Sequence, residues 1–355
     1  MLNEVRQDKI KKLENFLEKG IDPFPARAFE KEAAAEVLRK AVGQPARLAG
    51  RIRLLRDMGN LTFLHLQDES GRIQAVLNKK ELGEEYKFWV KNLDLGDFIG
   101  VEGERFDTHK GEKSVLAKKL TLLSKSILPL PDKHKSLQDE EEKLRKRYLD
   151  IFFNPEVKEM IYKKDRFWNA VRGFLKEKGF VEVETPVLEV TAGGADANPF
   201  ITHHKALDLE VYLRISMGEL WQKRLMVAGL EKTFEIGRQF RNEGMDSEHL
   251  QDYTQMEFYW AYADYRKGME LVKELYRKVA QETFGTLNFK IRGFEVDLSR
   301  EWEVYDYTET IKKMTQVDIG SAGLEEIEKK LVELGVEFDR KGFNLTRAID
   351  NLWKY

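Results

Sequence analysis

Residues 234–265 read FEIGRQFRNEGMDSEHLQDYTQMEFYWAYADY. Two alternating runs joined by a short polar loop predict an antiparallel hairpin. Period two then sorts its faces. On the second run Thr254, Met256, Phe258 and Trp260 point one way and supply packing, while Tyr253, Gln255, Glu257 and Tyr259 point the other. On the first, Arg241 and Glu243 lie opposite Phe234, Ile236 and Phe240. One face therefore gathers an arginine, acids and two tyrosines. A surface hairpin laced with salt bridges is the bland explanation of that set. The sharper one is a guanidinium offering paired donors to phosphate oxygens beside rings that stack a base.

Outward from the hairpin, helical spacing of Val157, Met160, Ile161, Phe167, Val171, Phe174 and Leu175 runs to Gly179. FVEVETPVL (180–188) alternates as a strand, VYLRI (211–215) is strand-like, and helices are expected near Glu219 to Ala228 and Tyr265 to Thr283. Strands in antiparallel hairpins with long helices indicate an α+β domain rather than a doubly wound one. Toward the N-terminus the period changes. ARLAGRIRLL, LTFLHLQD, GRIQAVLN, DFIGVEGERF and SVLAKKLTLLS predict five short strands, with a helical insert near Glu81 to Asn92. That is the pattern of an OB-fold β-barrel. A charged amphipathic helix opens the chain, and a second helical stretch is expected from Lys31 to Ala41. The C-terminal segment carries helical patterns at Leu324 to Leu334 and Asn344 to Trp353. The expected division is 1–44 as a helical extension, 45–128 as the barrel, 129–150 as a linker and 151–355 as the α+β domain.

Composition narrows the chemistry. The 355 residues contain no cysteine, which excludes disulfides, thiolate metal sites and a cysteine nucleophile. A net charge of -2, from 60 basic and 62 acidic residues, does not announce a polyanion partner, so any nucleic-acid contact must come from local patches. No apolar run is long enough to span a bilayer and no signal-peptide core opens the chain, so a cytoplasmic location without membrane contact is expected. GxxxxGK[ST] is missing and GVEGER is not a dinucleotide fingerprint, so phosphate binding must use side chains. His203 and His204 are adjacent but have no third ligand in view, which makes them structural or supporting polar residues.

FRNEG, the loop His249 and the following aromatic-Thr-x-x-Glu resemble the second signature motif of class II aminoacyl-tRNA synthetases. LPLPDK, LQDEEEKLRKRYLDI, FVEVETPVL, GGADANPFITHHKALDLEVYLRIS and ELWQKRL, in that order, resemble the lysyl-tRNA synthetase family of bacterial type over nearly the whole chain. The resemblance implies an OB-fold anticodon-binding domain followed by a class II antiparallel-sheet catalytic domain. It implies a ligase that activates lysine with ATP and transfers it to tRNA(Lys). By the same resemblance Arg241 clamps the α-phosphate and the amino-acid carboxylate as the catalytic residue. Glu243 holds the adenine amino group, Tyr253 stacks on the ring and His249 reaches the outgoing phosphates. Gly194 and Glu219 bind the α-amino group, and Glu257 with Tyr259 the side-chain ammonium. Arg51, Arg56, Phe63 and Gln74 read the anticodon. A homodimer is implied, its interface formed by the helix before FVEVETPVL and by Pro186.

Departures from the family pattern are Lys119 in place of a glutamate, Leu250 and Glu248 in the loop EHLQDYTQ, and one extra residue in SMGEL. Family members continue past the position of Tyr355 with Mg2+-binding carboxylates, a further lysine-binding acid and a GxGxGxxR motif. The expectation is therefore a catalytic domain that stops before its third motif, with no metal ligands identifiable in it and weak adenylate formation. Two other readings compete: a noncatalytic tRNA-binding or regulatory protein, and an aspartyl- or asparaginyl-tRNA synthetase, whose pocket needs cations rather than Glu257 with Tyr259.

Overall fold

A computed structural model describes residues 2–130, 139–244, 246, 249–340 and 342–355. The expectation attached to Glu248 lies outside these residues. The chain folds into two compact units, Met1–Phe153 and Asn154–Tyr355.

In the first unit five strands close a barrel in the order β1-β2-β3-β5-β4. They are β1 (Pro45–Asp57), β2 (Leu61–Gln67), β3 (Arg72–Asn78), β4 (Phe98–Asp107) and β5 (Lys113–Ser124), all within the five predicted runs or a few residues of them. Alternation fills the interior: Leu48, Ile52, Leu64, Leu66, Leu77, Ile99 and Leu122 are almost fully buried, each adding about 1.5–3 kcal/mol of hydrophobic stabilisation. The first helix, Leu2–Glu18, sets Phe16 against Phe88 and Trp89 of the helix Glu85–Asn92. A buried charge network fastens it: Lys125 binds Asp94 at 2.6 Å and Asp97 at 2.8 Å, and Lys12 binds Asp94 at 2.8 Å.

The second helical stretch is shorter than expected, only Ala34–Val37. Backbone donors that a longer helix would keep for itself go to other partners. The Glu32 N–H donates to Arg47 O, the Ala34 N–H to Asp68 Oδ2 and the Ala35 N–H to Ser70 Oγ.

In the second unit the predicted hairpin forms. β10 (Lys232–Phe240) and β11 (Asp252–Trp260) pair antiparallel, with Phe234 opposite Phe258 and Glu235 opposite Glu257. A parallel two-residue strand β6 (Val181–Glu182) extends the sheet. FVEVETPVL is therefore not one strand. Pro186 has no N–H to donate, and past it the chain joins a different sheet, of order β7-β9-β8, through β7 (Leu188–Glu189), β8 (Ile201–His204) and β9 (Leu209–Leu213).

The helices Pro155–Glu177 and Tyr265–Phe284 bury Val171, Phe174, Leu175, Leu271, Leu275 and Val279 against Phe234, Ile236, Met256 and Phe258. One face of the hairpin is thereby consumed as core and the other is left for chemistry. Asp264 caps the second helix, its carboxylate accepting from the Lys267 N–H at 3.1 Å. A small hairpin, β12 (Asn288–Ile291) with β13 (Phe294–Asp297), follows. Helices Tyr307–Thr315, Leu324–Glu333 and Leu345–Lys354 then form a cluster of their own around Ile327, Leu331 and Ala348.

Candidate functional site

On the free face of the hairpin, Thr233, Glu235, Gly237 and Gln239 of β10 stand in register with Tyr259, Glu257, Gln255 and Tyr253 of β11. Its floor is a buried ion pair that the sequence reading missed. Arg214 Nη1 lies 2.6 Å from Glu235 Oε1, and both side chains are almost fully shielded from water. Burying two charges is costly unless every donor and acceptor is used. Here Thr185 donates to Glu235 through its N–H (3.2 Å) and its Oγ1 (2.7 Å), and Arg214 Nε donates to Arg238 O (3.0 Å). The only sequence signal was Glu235's shared parity with Arg241.

Above this floor sits Glu257, half-buried. It accepts from Gln255 Nε2 (2.6 Å) and from the Met217 N–H (3.3 Å). Burial pushes its carboxyl up, the charges of Glu219 and Glu235 add to that, and the Met217 N–H and Arg241 oppose it. Burial, with Glu219 and Glu257, also pushes the Tyr259 phenol up to about 12, so it stays a neutral hydroxyl. Glu219 opens the helix Glu219–Val227 and pairs with Lys223 one turn on. Gly218, the preceding residue, has φ +52, and a Cβ there would overlap the Thr185 hydroxyl. Gly194, at φ +90, lies so close that a Cβ would overlap the Ser216 hydroxyl and stand 3.0 Å from Glu219 Cβ. Gly194, Glu219, Glu257 and Tyr259 are thus gathered from loop, helix start and strand. Carboxylates that repel one another beside a neutral phenol make a site for a cation.

Arg241 lies just past β10. Its N–H donates to Gln251 O (2.8 Å), its Nε to Ile215 O (3.4 Å), and its guanidinium stands 5.6 Å from the Tyr253 ring centre. The Asn198 N–H donates to Glu243 Oε1 (3.4 Å) and the Asn242 N–H to Asn198 O (2.8 Å), tying the loop that carries Gly194 to the FRNE segment. His249 stands at the exposed edge with Nδ1 2.7 Å from Asp246, and Leu250 is exposed beside it. His203, on β8, is 3.1 Å from Asp208. Among the described residues no group of three His, Asp or Glu side chains converges as a ready-made metal cage.

The barrel carries a second set. Arg56, Phe63 and Gln74, with Leu54 and His65, line a groove of about 500 Å³. Register explains the grouping, since Phe63 of β2 stands opposite Arg56 of β1 and His65 opposite Gln74 of β3. Gln74 is 5% exposed and its Oε1 is buried without a hydrogen-bond partner, an acceptor waiting for a donor. Arg51 stands apart from this groove, its guanidinium 4.4 Å from the Phe152 ring centre and 5.2 Å from that of Phe98. Lys119 is also outside it, opposite Glu102 at 3.6 Å.

Comparison with known proteins speaks to both units. Residues 139–348 match the family described as tRNA synthetases class II (D, K and N), and residues 46–123 match the OB-fold nucleic acid binding domain. This chain belongs to the class II tRNA synthetases. Within that family it is 43% identical over 344 residues to a lysine–tRNA ligase of Pelotomaculum thermopropionicum, covering 95% of this chain and 68% of the relative. It is 42% identical to the lysine–tRNA ligase of Carboxydothermus hydrogenoformans (94% and 69%) and 40% identical to that of Staphylococcus epidermidis (95% and 70%). The resemblance drawn from FRNEG and its flanking motifs is borne out, as are the OB fold and the class II domain. Relatives named as lysine–tRNA ligases do not favour the noncatalytic alternative. For a class II synthetase the family implies ATP, an amino acid and tRNA as substrates. No helix among the described residues is long and apolar enough to cross a membrane.

Proposed function

We propose that this chain is a lysine–tRNA ligase that joins lysine to ATP as lysyl-adenylate and passes it to tRNA(Lys). The observation that carries this reading is the acidic, partly desolvated face where Glu257, Tyr259 and Glu219 meet, beside Arg241 and Tyr253. Lysine brings two ammonium groups, and in a half-buried pocket each needs an anionic partner. Glu257 with the Tyr259 hydroxyl takes the side-chain ammonium. Glu219, with the backbone of Gly194, takes the α-amino group. An aspartate or asparagine side chain has no counterpart for this carboxylate.

Arg241 then lies over the region where the amino-acid carboxylate attacks the α-phosphorus. The new C–O–P bond forms as the bond to pyrophosphate breaks in line. Arg241 stabilises the charge on the phosphoryl oxygens, and no enzyme nucleophile is required. Tyr253 stacks on adenine, Glu243 takes its amino group and His249 meets the leaving phosphates. Mg2+ is the cation we expect to accompany ATP. In the barrel, Phe63 stacks a base of the anticodon, Gln74 offers its unpartnered carbonyl to a base edge, and Arg56 and Arg51 supply charge. Met160, Ile161 and Phe167 leave an apolar stripe exposed on the helix Pro155–Glu177, which supports a homodimer. The compartment we propose is the cytoplasm.

The test is calorimetric titration of the chain with non-hydrolysable sulfamoyl analogues of lysyl- and aspartyl-adenylate. Binding of the lysyl analogue at least about 30-fold tighter is expected from one matched, half-buried charge. Equal binding of the two would refute the assignment.

A further inference from the structure

The outer face of the barrel holds a second cationic feature. In register across three strands stand Arg51 of β1, Gln67 of β2 and Arg72 of β3. Arg53 flanks them just inside the irregularity between Ile52 and Leu54. Its guanidinium lies 3.7 Å from the Phe152 ring centre and Arg51's lies 4.4 Å from the same ring. Among the described residues none of the three arginines has a carboxylate within ion-pair distance. Their polar contacts are Arg51 Nε to Gly96 O (3.1 Å), Arg53 Nη1 to Phe152 O (3.4 Å) and Arg72 Nε to Gln67 Oε1 (3.3 Å). Burial pulls the Arg51 guanidinium down, and the charge of Asp97 opposes that.

We propose that Arg51, Arg53 and Arg72 form a phosphate cradle that grips the RNA backbone beside the base-reading groove. The inference rests on the barrel binding tRNA, and it assigns Arg51 to the backbone rather than to a base. Stacking on Phe152 holds two guanidiniums while leaving N–H edges for an anion, the use to which arginine is best suited. Burial pulls the Arg53 guanidinium down to about 10, and the neighbouring charges of Arg72 and Arg51 add to that, so an anion bound beside it would be favoured. Position favours RNA over an acidic peptide. Gln67, at the centre of the cradle, is two residues along β2 from His65 and four from Phe63, hence about 7 and 13 Å away on the same outward-facing side. A strand whose base stacks on Phe63 therefore passes over the arginines within a few nucleotides.

Fluorescence titration of the full chain with a labelled tRNA(Lys) anticodon stem-loop, and with the same stem carrying a scrambled loop, tests this between about 50 and 200 mM salt. Arg53→Gln and Arg72→Gln are each expected to weaken both RNAs by the same factor. Each should also lower the slope of log affinity against log salt by about 0.7–0.9, the signature of one lost phosphate contact. Arg53→Lys, which keeps the charge and loses the stack, should retain most of the slope, whereas a purely structural role of Arg53 would be lost in both variants. If wild type binds the stem-loop and Gln74→Ala relaxes loop discrimination, but the arginine variants leave the slope unchanged, the cradle is refuted and tRNA binding stands. Failure of wild type to bind either RNA refutes both. Capture of a poly-aspartate peptide that depends on these arginines, with RNA binding unaffected by them, overturns the RNA assignment in favour of an acidic protein partner.

Discussion

Glu257→Gln removes one negative charge from a face where Glu219 and Glu235 already repel it, while keeping the shape that accepts from Gln255 and Met217. A charge-assisted hydrogen bond is worth about 1.5–3 kcal/mol. Glu257 is only half-buried, so a value near 2 kcal/mol is appropriate, equivalent to about 30-fold in affinity. The lysyl sulfamoyl-adenylate analogue should bind the variant about 30-fold more weakly. The norleucyl analogue, which lacks the ammonium, should bind wild type and variant alike. Stability should move the opposite way. A carboxyl whose folded pKa is raised gives a stabilising contribution that is full below its unfolded pKa and is lost as pH rises through the folded value. At neutral pH its ionisation therefore opposes folding, and the neutral amide should raise the midpoint of thermal unfolding or leave it unchanged. Calorimetry with both analogues and a melting curve are the assays. A variant that still prefers lysyl to norleucyl by the wild-type factor would show that the ammonium does not sit on Glu257.

Other perturbations separate the parts. Gly194→Ala puts a Cβ into the Ser216 hydroxyl at a φ of +90, and should weaken the lysyl analogue by about 10²-fold or more. Affinity within a few-fold of wild type would place the pocket elsewhere. Asp68 is pushed up by burial, but Lys31, Ser70 and the Ala34 N–H more than offset this and hold its carboxyl at about 2. Its contribution is present above its unfolded pKa and is lost as pH falls through the folded one. Asp68→Asn should therefore cost on the order of 2 kcal/mol at pH 7 in urea unfolding, with the difference closing between about pH 4 and pH 2. A constant difference across that window would refute the linkage. Phe63→Leu should weaken the anticodon stem-loop by about 1–3 kcal/mol. Phe63 is outside the barrel's buried core, so stability should change little, and a large loss of it would mark Phe63 as a packing residue.

Local regularities were legible in the chain alone. Strict alternation in residues 234–260 assigned Phe234, Ile236, Met256 and Phe258 to packing and Tyr253, Glu257 and Tyr259 to the open face, and the structure keeps both sets. Five runs of period two marked the barrel, because each strand must turn one side inward wherever it sits. Patterns with competing local signals were misread. FVEVETPVL alternates as a single strand, but Pro186 divides it between two sheets; the stretch from Lys31 to Ala41 has helical residues whose backbone donors are taken elsewhere. The β12–β13 hairpin and the helix Tyr307–Thr315 lie outside the elements predicted from the sequence.

What the sequence determined by itself was which residues share a face and which family they belong to, since periodicity and motif spacing are properties of neighbours along the chain. Only the tertiary structure decided that Arg214 and Glu235, 21 residues apart, neutralise each other beneath Glu257. It also decided that Gly194 abuts Glu219, and that Arg51 stacks with Arg53 on Phe152 rather than lining the groove with Gln74. The reason is physical. Desolvation, charge coupling and stacking depend on distances in space between segments far apart in the chain, and the local pattern of either segment carries no record of its partner.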